Sequence, residues 1–168
     1  MLKLVLDAST MILLAKLDLL DRLSKEMAIE IPKVVAEEAT CREELLDAKQ
    51  IRRLMEEGNI HVEREREIPW VRALERDFRL GEGEAQAIFL AKKKGALLGV
   101  DDGLAMKACK VLGIPFVTTL AFVARFYEKG LLNRKQAIEK LENLKRFGWY
   151  RGELLEKVIR DIKRSETA

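Results

Sequence analysis

Ala96-Leu97-Leu98-Gly99-Val100-Asp101-Asp102 is the stretch whose reading decides the fold: an unbroken apolar run closed by two carboxylates. A run of that length, opened by the turn residue Gly95, reads as a strand buried on both faces, as in a parallel sheet. Leu4-Val5-Leu6-Asp7 has the same form near the start of the chain. In open α/β sheets ligands gather outside the carboxyl ends of the strands, so acids at these places meet in one cleft. Two more join them if the chain folds this way: Glu38, early in the helix after Ile29-Glu30-Ile31-Pro32, and Glu84, at the start of the helix before Asp102. Crowded carboxylates repel one another, and a hard cation relieves that repulsion.

Working outward, periodicity predicts a strand over 3–7 and a helix over about 10–24, capped by Ser9 or Thr10, with Ile12, Ala15, Leu19 and Leu23 at helical spacing. A strand at 28–31 ends at Pro32, which suits the first turn of a helix carrying Val34, Val35 and Glu38. A helix over about 43–57 stops at Gly58-Asn59, and Ile60-His61-Val62 forms a short third strand. A loop or short helix with Pro69 and Trp70 leads to Leu80-Gly81-Glu82-Gly83-Glu84. The helix over about 84–94 ends at Gly95, as a C-terminal glycine should end one. Strand four covers 96–100, a helix over about 103–112 ends at Gly113, and strand five covers 115–118. Such alternation predicts an α/β fold, three-layer α/β/α with a mostly parallel five-stranded sheet. From 119 onward the pattern is helical, over 120–128, 134–146 and 152–163, punctuated by Gly130 and Phe147-Gly148-Trp149. With no linker or repeat, the expectation is a single domain over 1–168. Residues 1–118 form its core, and the helical extension of 119–168 packs on that core or on a dimer partner.

The 168 residues suit one domain with a substantial core. Charged residues make up 35% of the chain but nearly cancel to a formal +3, which permits nucleic-acid binding without demanding it. The start of the chain leads directly into a strand rather than a signal peptide, and no apolar stretch approaches the ~18 residues of a membrane span. The expected location is cytoplasmic. Cys41 and Cys109 have no partner at C-x-x-C spacing, so they read as buried or half-buried free thiols.

Four pieces carry a resemblance: Leu6-Asp7-Ala8-Ser9, Pro32-Lys33-Val34-Val35-Ala36-Glu37-Glu38, Gly81-Glu82-Gly83-Glu84-Ala85 and Leu98-Gly99-Val100-Asp101-Asp102. In this order the chain resembles a PIN-domain ribonuclease of the small, stand-alone prokaryotic kind, over nearly its whole length. The resemblance implies a metal-dependent nuclease whose acidic cluster binds Mg²⁺ or Mn²⁺. Carried over residue by residue, it implies Asp7, Glu38, Glu84 and Asp102 as catalytic and metal-binding, with Ser9 as the hydroxyl beside the first aspartate. Glu37 or Glu38 could take the second position and Asp101 or Asp102 the last. The family's spacing favours Glu38 and Asp102, with Asp101 a further oxygen donor. Glu84 stands where the broader family commonly has aspartate. The resemblance further implies an RNA substrate, single-stranded or looped, a homodimer, and an antitoxin partner if the protein is a toxin.

The chemistry agrees. Phosphodiester hydrolysis needs an activated water, relief of charge in the transition state and a stabilised leaving oxygen, and a divalent ion serves all three. Ser9 also reads as a plain helix cap and Glu84 as a first-turn carboxylate favoured by the helix dipole. Lys107 and Lys110, just after Asp102, are candidates to meet phosphate. Lys92-Lys93-Lys94 reads as a solvated helix end, and the arginine-rich stretch 64–79 as a salt-bridged surface, since Glu63, Glu65, Glu67, Glu75 and Asp77 offset its charge. His61, the sole histidine, falls on an edge strand away from the acids. Trp70, Phe78, Trp149 and Tyr150 could stack on unpaired bases, but core or dimer packing is the plainer reading. A receiver-like domain would need a lysine after Thr118, and a haloacid-type phosphatase a second carboxylate two residues after Asp7; neither is present. The competing class is a catalytically weak module that binds RNA or an antitoxin.

Overall fold

Five strands pair in the order β3-β2-β1-β4-β5. They are β1 (Lys3–Leu6), β2 (Ala28–Pro32), β3 (Ile60–Glu63), β4 (Leu97–Gly99) and β5 (Phe116–Val117). This is a computed structural model, describing residues 2–64, 68–147, 150 and 152–165. Every neighbouring pair is parallel, where the sequence predicts a mostly parallel sheet. The chain steps one way from β1 through β2 to β3, then crosses back to lay β4 on the other side of β1. That reversal makes a crevice at the carboxyl ends of β1 and β4. Register places Leu6 beside Gly99, and the Asp7 N–H donates to the Gly99 carbonyl at 3.2 Å, so Asp7 leaves the sheet beside Val100, the residue before Asp101.

Two groups of helices flank the sheet. α1 (Ala8–Lys16), α3 (Lys33–Thr40) and α4 (Leu46–Glu56) pack on one another, with α2 (Leu20–Glu26) beside α1. α5 (Ile68–Phe78), α6 (Glu82–Lys94) and α7 (Gly103–Leu112) form the second group. Right-handed crossovers send helices that follow opposite steps to opposite faces. Leu4, Val5, Leu6 and Leu98 are fully buried between them, as the two apolar runs predict. Each such side chain contributes roughly 1.5–3 kcal/mol by leaving water.

The single helix expected over 10–24 is two. α1 ends in a Schellman motif: the Leu19 N–H donates to the Leu14 carbonyl and the Asp18 N–H to that of Ala15, with Asp18 left-handed at φ 54°. In one continuous helix Leu19 would point away from Leu17, and the break buries Leu17, Leu19 and Leu20 alike. The segment with Pro69 and Trp70 is an eleven-residue helix, α5, burying Val71 and Leu74. Cys109 is buried, as expected, whereas Cys41 is exposed, against the expectation of a buried or half-buried thiol. Lys94 is no solvated lysine: its Nζ lies 2.9 Å from Glu30 Oε2 and 2.8 Å from Glu63 Oε1, tying the end of α6 to β2 and β3.

The chain divides into two units, Met1–Val117 and Thr118–Ala168. The second contains α8 (Thr119–Glu128), α9 (Arg134–Arg146) and α10 (Gly152–Arg164), which pack on one another around Phe126, Leu141, Leu144 and Leu155. Thr118 caps α8 and Asn133 caps α9. The Leu120 N–H donates to the Tyr150 hydroxyl at 3.3 Å, so that ring has a structural use. Glu65, Glu67, Gly148 and Trp149 lie outside the described residues. Among the described residues no helix is long and apolar enough to cross a membrane.

Candidate active site

Asp7 is the residue on which the site is built. It follows β1 and caps α1: its Oδ1 accepts the Thr10 N–H at 2.8 Å and the Ser9 hydroxyl at 3.3 Å. The cap is therefore Asp7, not Ser9 or Thr10 as the sequence suggests. Asp7 is 2% exposed, and its Oδ2 is buried without any hydrogen-bond partner among the described residues. Burial, reinforced by the nearby Asp101, pushes its carboxyl up to about 7 despite the three lowering hydrogen bonds from Thr10 and Ser9. A buried carboxylate oxygen left unpartnered is costly unless something outside the chain meets it.

Asp7, Ser9, Glu38, Gly81, Gly83 and Glu84 line one cleft of about 280 Å³. Glu38 is the sixth residue of α3 rather than an early one, and its neighbour Glu37 turns outward to Lys33 at 3.3 Å. Burial, with Glu84 and then Glu82 repelling it, raises the pKa of Glu38. Glu84 sits in the first turn of α6, where its Oε2 accepts the Gly81 N–H at 2.9 Å. Its pKa is raised by burial and by Asp102, with the Gly81 bond opposing. A methyl group on Gly83 would stand 2.5 Å from Glu38 Oε2, so the absence of a side chain there is what lets the Glu38 carboxylate lie against α6.

Asp102 caps α7, its Oδ1 accepting the Leu104 N–H at 2.9 Å and the Ala105 N–H at 3.0 Å. It reaches the cluster electrostatically through Glu84 but does not line the cleft. Asp101 accepts the Thr10 hydroxyl at 2.9 Å. Thr10 thus fastens Asp7 by its backbone and Asp101 by its side chain, a role hidden from a sequence in which Thr10 reads as a cap. Glu82, also missed, stands in the quoted Gly81–Ala85 motif and adds its field to Glu38. Lys107 and Lys110 are exposed on α7, outside the lining of this cleft. His61 is exposed on edge strand β3.

The donor set is all carboxylate, which suits hard divalent ions with oxygen ligands rather than zinc. Among the described residues no three acidic, histidine or cysteine side chains stand close enough to hold an ion together. Like charges without a counter-ion spread apart, and capping bonds occupy one oxygen each on Asp7 and Asp102. The orphaned Asp7 Oδ2 and the gap at Gly83 are the features that fit a cation.

An α/β protein with an acidic cleft at the switch of strand order is the class that fold and site define. The chain belongs to the PIN-domain family, whose model matches residues 3–164; its members are generally nucleases and generally use divalent metal ions. Its fold is similar to that in the crystal structure of PAE2754 from Pyrobaculum aerophilum, with a TM-score of 0.54 at 17% identity, covering 76% of this chain and 98% of that one. No curated protein matches the chain.

Proposed function

We propose that the protein is an endoribonuclease that hydrolyses phosphodiester bonds of single-stranded or looped RNA with Mg²⁺ or Mn²⁺ in the acidic cleft. The observation that carries this reading is that Asp7, which lines a cleft with Glu38 and Glu84, has a buried Oδ2 without a hydrogen-bond partner among the described residues. Asp7, Glu38, Glu84 and Asp102 would hold the ion, with Asp101 beside them. When bound, the ion supplies positive charge against the phosphate and lowers the pKa of the attacking water.

The chain's own groups set the stage. Ser9 and Thr10 fix the orientation of the Asp7 carboxyl through its Oδ1, leaving Oδ2 for the ion. The Gly81 N–H anchors one oxygen of Glu84, so that carboxylate approaches with a single free edge. Gly83 lets Glu38 close the cleft from α3. Raised pKa values at Asp7, Glu38 and Glu84 mean that protons compete with the ion, so activity rises with pH into the neutral range. Lys107 and Lys110 would meet phosphate further along the strand. A homodimer and an antitoxin partner belong to the same reading and are supported by the family resemblance alone, as is action in the cytoplasm.

The test compares RNA cleavage by wild type and Asp7→Asn with Mg²⁺, with Mn²⁺ and with chelator. Wild type should cut with either ion and stop with chelator, and Asp7→Asn should lose on the order of 10³-fold or more, the scale of removing a transition-state interaction. Equal activity in every arm rejects the reading. Metal binding without cleavage by the wild type would favour the binding module instead.

A further inference from the structure

We propose that a second cleft, lined by Trp70 of α5 and by Phe89, Lys92 and Lys93 of α6, docks an unpaired nucleotide of the substrate strand. The proposal rests on the nuclease reading above and names how the enzyme selects single strands.

The cleft has a volume of about 310 Å³ and is built from two rings and two cations. Trp70 and Phe89 lie with ring centroids 5.5 Å apart and planes tilted by 54°. Both rings are half-buried. Residues 85–88, 90 and 91 of α6 are buried, so Phe89 is the apolar residue that this helix turns toward the surface. Lys92 and Lys93 are exposed and line the cleft, and Lys92 Nζ lies 3.2 Å from the Leu112 carbonyl oxygen. Lys94 is drawn to Glu30 and Glu63. The lysine run thus places Lys94 against the sheet and Lys92 and Lys93 in the lining of the aromatic cleft.

Aromatic faces flanked by ammonium groups suit a base that stacks and a phosphate that is neutralised, and every base offers a π face. A paired base keeps its faces inside the helix, so the cleft discriminates by strandedness rather than by sequence. An acidic peptide would use the lysines but leave the rings without a partner. Along α6 the axial distance from Glu84 is about 7.5 Å to Phe89 and about 12 Å to Lys92 at ~1.5 Å per residue. That corresponds to about two to four nucleotides of a stacked strand at ~3.4 Å each.

Binding of a labelled single-stranded 12-nucleotide RNA, and of the duplex of the same sequence, is measured by fluorescence anisotropy in chelator on full-length Asp7→Asn. Adding Trp70→Leu should weaken the single strand about tenfold and leave the duplex unchanged, and Trp70→Tyr should restore binding. Lys92→Gln with Lys93→Gln should weaken the single strand and flatten its salt dependence. In the otherwise wild-type enzyme, Trp70→Leu should raise KM for the 12-mer at constant kcat and leave cleavage of a dinucleotide unaltered. Circular dichroism melting verifies that each variant is folded. Unchanged single-strand affinity in Trp70→Leu, equal losses for single strand and duplex, or displacement of RNA by a poly-glutamate peptide only when Trp70 is present would overturn the proposal. If wild type fails to cleave yet single-strand binding depends on Trp70, the nuclease reading falls and this site stands. If wild type cleaves and Trp70→Leu keeps the wild-type KM, the reverse holds.

Discussion

Asp7 and Asp102 follow adjacent parallel strands, Asp7 directly after β1 and Asp102 three residues after the last residue of β4, and each caps the helix that follows. They differ in what surrounds the second oxygen. Asp102 sits half-exposed at the start of α7, and water can solvate the oxygen that the cap does not use. Asp7 is 2% exposed, with an Oδ2 that no group of the described chain meets. The same residue type in the same local motif therefore has two energetic characters. Topology separates them, because β1 is the central strand, flanked by β2 and β4, whereas β4 lies one strand from the sheet edge.

The pH dependence of stability gives this comparison its largest expected effect. The Asp7 carboxyl is held at about 7 instead of the ordinary 3.8, so the folded chain keeps a proton that the unfolded chain releases. Stability from this residue is full below about pH 4 and is lost as pH rises through 7, by an amount on the order of 4 kcal/mol. Other groups run the opposite way: Asp21, bonded to Lys25 and Arg53, and Glu63, bonded to Lys94, have lowered pKa values. The informative quantity is hence the difference between wild type and Asp7→Asn in thermal melts from pH 4 to 8 with chelator. The variant should match wild type at pH 4 and melt higher at pH 8, and saturating Mn²⁺ at pH 8 should raise the melting temperature of wild type alone. Parallel curves across the whole range would show that Asp7 is not the strained group described.

How much of this was legible beforehand follows from which signals are local. Apolar runs closed by acids marked β1 and β4 because two-sided burial leaves its record in consecutive residues. Gly95 and Gly113 marked helix ends because their left-handed backbone, φ 59° and 67°, favours a residue without a side chain. The break at Asp18 was hidden, since an aspartate in that conformation carries no such mark. Pro69 left α5 open as a loop or short helix, although the second position of a helix tolerates proline. For the site, residue types and order brought Asp7, Glu38 and Glu84 into view, but which of Glu37 and Glu38 faces the cleft depends on how α3 is rotated against α6. Thr10 was illegible for a different reason: its partner Asp101 is 91 residues away.

Gly83→Ala sharpens the contrast between a site's stability and its affinity. The new methyl would meet the end of the Glu38 side chain at 2.5 Å, and a flexible carboxylate can swing aside. Relief is therefore cheap for the fold, and alanine in place of a helical glycine adds up to about 1 kcal/mol. The carboxylate that swings aside is, however, one of those proposed to hold the ion. Melting in chelator should be unchanged or slightly higher, while Mn²⁺ affinity by calorimetric titration should fall about tenfold, the usual scale for disturbing a ligand's support. Unaltered affinity would remove Glu38 from the metal site.

The smallest effect separates the two duties of Asp102. Asp102→Ala removes the acceptor for the Leu104 and Ala105 N–H groups and should cost about 1 kcal/mol of stability in chelator. Asp102→Asn keeps an acceptor at the cap, so its stability should stay within a few tenths of a kcal/mol of wild type. Both substitutions take away the negative charge that faces Glu84, and both should lower that residue's pKa toward the ordinary carboxylate value. If Asp102 also holds the ion, the asparagine variant loses cleavage while melting like wild type. If it serves only as a cap, cleavage by the asparagine variant survives, and the likeness between Asp7 and Asp102 ends at the first hydrogen bond each makes to its helix.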